Sequence, residues 1–95
     1  MAGDRLQASE KLWGAAAHAL MSAMQERGWP GTTHRALSFS AERLAREYDD
    51  SAIRAGFVTA DRFHRNFYHD FLEDYDFVIG RPVVREFVER VLALE

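Results

Sequence analysis

"AIRAGFVTADRFHRNFYHDFLE", residues 52–73, decides the fold. Ile53, Phe57, Ala60, His64, Phe67 and Phe71 recur every three or four residues, the period of one helix face rather than the alternation of a strand. The spacing predicts a helix from Ala52 to Glu73 with these six residues turned inward. Arg62, Arg65 and His69 then fall on the opposite side, with Asn66 at its border. One stretch therefore makes two proposals: a polar group inside a helical bundle and a cationic pair outside it.

Working outward, "RLQASEKLWGAAAHALMSAMQERG" is rich in good helix formers, and Leu6, Trp13, Ala17, Leu20 and Met24 form its apolar stripe. Gly28 is a natural stop, and "GWPGTT" reads as a loop because Pro30 breaks the helix. Thr32 or Thr33 is placed to cap a second helix whose stripe is Leu37, Ala41, Leu44 and Tyr48. "DDS", residues 49–51, supplies a turn and the next cap. "EDYDFVIG", residues 73–80, reads as an irregular connection, and Pro82 suits the first turn of a fourth helix carrying Val84, Phe87, Val88, Val91 and Leu92. The fold class is all-α: a single domain over residues 1–95, an up-and-down four-helix bundle, since short loops make neighbouring helices antiparallel.

The 95 residues suit one domain, and 47% of them are hydrophobic, enough for a core. Without cysteine there are no disulfides, thiolate metal sites or thiol nucleophiles. A net charge of −3 removes a whole-protein field attractive to nucleic acid, while a local basic patch stays open. No run approaches the roughly 18 apolar residues of a membrane span. "MAGDRLQASEKLW" lacks the pattern of a signal peptide, and the expected location is the cytoplasm.

The sequence carries no phosphate-binding glycine loop, no His-Glu-x-x-His and no Gly-x-Ser-x-Gly. The residues three before the histidines are Ala15, Gly31, Asp61 and Asn66, so the Glu-x-x-His of di-iron bundles is missing too. No cofactor is expected. A histidine at a core position needs partners, because a buried unsatisfied polar group costs about 1–3 kcal/mol. Glu10, between Leu6 and Trp13, is the expected partner of His64, with His34 and Tyr68 completing a polar network. Such a network either sets packing register or forms a pocket for a small ligand or nucleobase. Outside, Arg62 or Arg65 with His69 would suit metal-free RNA cleavage: the guanidinium holds phosphate and the imidazole moves protons. Val58 and Leu72, read on the same outer face, imply that a second copy covers part of it.

"QASEKLWGAAAHAL", "THRAL" and "HRNFYHDF" together resemble the PaREP family of small helical proteins and, through it, the HEPN superfamily. The resemblance spans Leu6 to Phe71 and implies a HEPN-like four-helix fold. It also implies either nucleotide or RNA binding or metal-independent ribonuclease activity, a homodimer, and a protein partner such as a nucleotidyltransferase-like antitoxin. Superfamily nucleases place arginine, four to six residues and then histidine at the dimer interface, often with Asn or Asp after the arginine. Arg65 and His69 enclose three residues; Arg62 and His69 enclose six, with Phe63 after the arginine. What the chain shares with the PaREP group is Glu10, Lys11, Trp13, His34, His64, Asn66 and Tyr68, which favours the inward set as a non-catalytic binding site.

Overall fold

Four helices make up nearly all of the computed structural model, which describes residues 2–94: α1 (Ala2–Arg27), α2 (His34–Glu47), α3 (Ser51–His69) and α4 (Asp74–Ala93). Among the described residues there is no strand. The boundaries have local chemical causes. Gly28, at φ +70°, ends α1, and the chain folds back so that the Trp29 amide donates to the Met24 carbonyl at 2.9 Å. The Thr33 hydroxyl accepts from the Ala36 amide at 3.1 Å to start α2, and Asp50 accepts from the Ala52 amide at 3.0 Å to start α3.

The far end of α3 departs from the expectation. The helix stops at His69, and Asp70 takes the left-handed conformation at φ +47°. Of residues 73–80, expected as an irregular connection, Glu73 is the cap and residues 74–80 are the first two turns of α4. The Asp76 carboxylate accepts from the Glu73 amide at 2.8 Å and fixes that start. Pro82 therefore lies inside the helix rather than in its first turn. It sits on the exposed side, where water can satisfy the carbonyl that loses its intrahelical donor.

α1 and α3 share the most extensive interface, and α4 packs on both. α2 lies against α3 and, less closely, α1, and among the described residues its backbone makes no close approach to that of α4. Leu20, Met24, Leu44, Ile53, Phe63, Val84, Phe87 and Val91 fill the middle. Two glycines let α3 and α4 approach: a Cβ on Gly56 would stand 2.5 Å from the Phe87 Cβ, and one on Gly80 would stand 2.7 Å from the Phe63 ring.

The inward face of α3 is rotated from the one the spacing predicts. Gly56, Asp61, Phe63 and Asn66 join Ile53, Phe57 and Ala60 on it, whereas Phe67 and Phe71 are exposed. On α1 the buried residues are Ser9, Trp13, Ala16, Ala17, Ala19, Leu20, Ala23 and Met24. Small side chains let the neighbours come close, so the face centres on serine and alanine and leaves Glu10 outside and exposed. Leu72, read as an outer residue covered by a second copy, is buried by its own chain; Val58 is exposed. Tyr48 and Leu92, expected on apolar stripes, are exposed at helix ends.

Candidate functional site

Phe57, Asp61, His64, Arg65 and Tyr68 follow one another at helical spacing along α3, opposite Trp13 of α1 and the first residue of α2, His34. This corner gathers three rings in nearly parallel planes. His64 stacks on Trp13 with centroids 4.5 Å apart and planes 26° apart. His34 stands 5.8 Å from Trp13 and 6.0 Å from His64, at 25° and 17°. Phe57 closes the cluster from the core side, 5.9 Å from Trp13. Tyr68 meets His64 edge-on at 5.5 Å and is itself exposed.

Asp61 organises the polar side. One carboxylate oxygen lies 2.7 Å from Nε2 of His34, and the other accepts from Arg65 Nη2 at 2.9 Å. Its side chain is only 12% exposed, so the two partners offset the cost of burying a charge. The pairing assigns the Nε2–H tautomer to His34 and leaves its Nδ1 as an acceptor. His64 is different. Its Nδ1 is buried and, among the described residues, has no hydrogen-bond partner. A buried N–H without an acceptor costs more than a buried lone pair, which places the proton of the neutral ring on Nε2. The corner thus presents one acceptor, one donor and an aromatic edge, a set suited to a planar heterocycle carrying both kinds of polar atom.

The structure brings Trp13, His34, His64 and Tyr68 together and separates the rest of the expected set. Glu10 and Lys11 are exposed on α1, and Glu10 does not meet His64; Asp61 is the carboxylate at the corner. The sequence held a signal for Asp61, the i,i+4 pairing with Arg65 on one helix face. Asn66, read at the border of the outer face, is completely buried. Its amide NH₂ donates to the Ser9 hydroxyl at 2.8 Å, and its carbonyl accepts from the Phe71 and Leu72 amides at 2.7 Å each. Arg62, Arg65 and His69 are all exposed. Arg62 leans over the Phe71 ring at 6.0 Å, while Arg65 is committed to Asp61.

Among the described residues, no group of three or more histidine, aspartate or glutamate side chains is arranged to hold a metal ion. No helix is long and apolar enough to cross a membrane. The family model described as the archaeal PaREP1/PaREP8 family matches residues 1–88. No curated protein and no solved structure matches the chain.

Proposed function

This chain belongs to the archaeal PaREP1/PaREP8 family, and we propose that it is a HEPN-like domain that binds a nucleotide or single-stranded RNA, without catalysis, at the corner formed by Trp13, His34, His64 and Tyr68. The observation that carries this reading is the stack of Trp13, His34 and His64 with the exposed Tyr68 ring at its edge. Polar groups that only set packing register satisfy one another, as Asn66 does. His64 instead has a buried nitrogen without a partner among the described residues, and the Tyr68 ring beside it is exposed, where a base can stack, an interaction worth about 1–3 kcal/mol per base. Arg65, paired with Asp61 through Nη2, keeps its other guanidinium N–H groups beside the ring cluster for a phosphate.

Thermal shift against the four ribonucleotides and short single-stranded RNAs tests it, because a ligand of the folded state raises Tm. Tyr68→Ala should weaken binding by roughly 5- to 150-fold, the equivalent of one lost stacking contact. An unmoved Tm with every nucleotide and RNA would end this reading.

A second reading, metal-independent cleavage of RNA, has one specific observation in its favour: Asp61 holds His34 in the orientation of a general base. RNA cleavage in EDTA compares this arrangement with the Arg62 or Arg65 and His69 pairing. Loss of cleavage in His34→Ala alone would assign it to the corner, and loss in His69→Ala alone to the outer face.

A further inference from the structure

The exposed end of α3 carries more aromatic and cationic surface than the corner uses. Phe67, Tyr68 and Phe71 are 38%, 68% and 46% exposed. Arg62, Arg65 and Tyr68 stand three apart and are all exposed, so they form one diagonal row across the surface of α3. The row leads from the corner toward α4, since Arg62 also lines the cleft that Ile79, Gly80 and Val83 of α4 share with α3. At its far end the Arg62 guanidinium lies over the Phe71 ring at 6.0 Å.

This end is built. Asp70 turns the chain in the left-handed conformation, and the Asn66 carbonyl holds the amides of Phe71 and Leu72, so the backbone beneath the Phe71 ring is fixed while the ring itself meets solvent. Arg62 forms no ion pair among the described residues. A guanidinium held over a ring rather than by a carboxylate keeps its N–H donors for another acceptor. Rings with guanidinium groups between them supply what a single nucleic-acid strand needs: π-faces for the bases and donors for the phosphates. Acidic side chains follow Phe71, at Asp70 and Glu73, and would repel a phosphate backbone that continued past it.

We infer that Phe71 and Arg62 form a second base-binding subsite, so that the ligand is a short single-stranded segment rather than a lone nucleotide. One base stacks at Tyr68, Arg65 and Arg62 take the phosphates, and a following base stacks on the open face of Phe71. The subsite rests on the nucleotide reading of the corner and adds a contact that the corner does not provide.

Fluorescence titration of the full chain with a ribonucleoside monophosphate, a ribotrinucleotide and a ribohexanucleotide tests it. The trinucleotide should bind roughly 5- to 150-fold more tightly than the mononucleotide, the equivalent of one further stacked base, and the hexanucleotide should add little. Phe71→Ala should bring the trinucleotide down to the affinity of the mononucleotide and leave the mononucleotide unmoved, while Phe71→Trp should keep the gain. Helical circular dichroism should be unchanged in both, because Asn66 holds the backbone of residues 71 and 72 and not the ring. Arg62→Gln should lower the slope of log affinity against log salt by about 0.7 for the trinucleotide alone. A mononucleotide that binds as tightly as the trinucleotide, or a trinucleotide indifferent to Phe71→Ala, would overturn the subsite and leave the corner standing. No binding at any length would overturn both.

Discussion

Asn66 and His64 stand two residues apart on α3, and both turn polar groups into the bundle. Asn66 uses its whole amide: one donor to Ser9 and a carbonyl shared by the amides of Phe71 and Leu72. It closes the turn into α4 and fastens it to α1. His64 has a buried nitrogen with no partner among the described residues and is held by ring contacts with Trp13, His34 and Tyr68. The difference separates a polar residue that builds the fold from one that the fold leaves unfinished. Composition cannot make that distinction, since both residues lie within "HRNFYHDF".

The contrast is broken most severely at Asn66. Asn66→Ala strands two backbone amides and the Ser9 hydroxyl, and should cost about 3 kcal/mol or more by chemical denaturation, since each orphaned group costs about 1–3 kcal/mol. In a chain of this size that is a fall in Tm of roughly 15 °C. Asp61→Ala comes next. It removes charge-assisted hydrogen bonds to His34 and Arg65, and because both partners remain open to water the loss should be about 1–2 kcal/mol. Nucleotide affinity should fall with it if His34 must be held in place.

His64→Phe sharpens the comparison from the other side. It keeps a ring on Trp13 and removes the unsatisfied nitrogen, so stability should hold or rise by up to about 1 kcal/mol while nucleotide affinity is lost. A loss of stability as large as that of Asn66→Ala would make His64 a structural residue. The smallest effect belongs to a pair remote from both. Arg54 chelates Glu42 at 2.6 and 2.7 Å and, through these hydrogen bonds, holds its carboxyl below the usual carboxylate range. A depressed folded value means that the pair stabilises above the ordinary carboxylate pKa and loses this as pH falls through the folded value. Glu42→Gln should slightly flatten the acid limb of a pH–Tm profile, less so in high salt.

The helices were legible because their signals are local: Gly28 as a stop, Thr33 as a cap and the three-to-four spacing of Ile53, Phe57 and Ala60. α4 was misread at its start because Pro82 is a stronger local sign than the Glu73–Asp76 cap, and only tertiary placement of Pro82 toward solvent makes an interior proline tolerable. Glu10 was misplaced because the alanines that set the buried face of α1 are weak markers of direction. Of the expected network, His34, His64 and Tyr68 lie together beside Trp13, whereas the expected partner Glu10 lies elsewhere and Asp61 stands in its place. The Ser9–Asn66 bond joins residues 57 apart, and the His34–Asp61 bond joins residues 27 apart, separations to which helical periodicity is blind.

The separation of the α2 backbone from that of α4 among the described residues carries a dynamic consequence. α2 is docked on one side of the bundle only, so it can detach and return while α1, α3 and α4 remain assembled. Its first residue is His34, and each such excursion would dismantle the corner without denaturing the protein. Amide hydrogens of α2 should therefore exchange with solvent deuterium ahead of those of α1 and α3, and an occupant of the corner should slow them selectively.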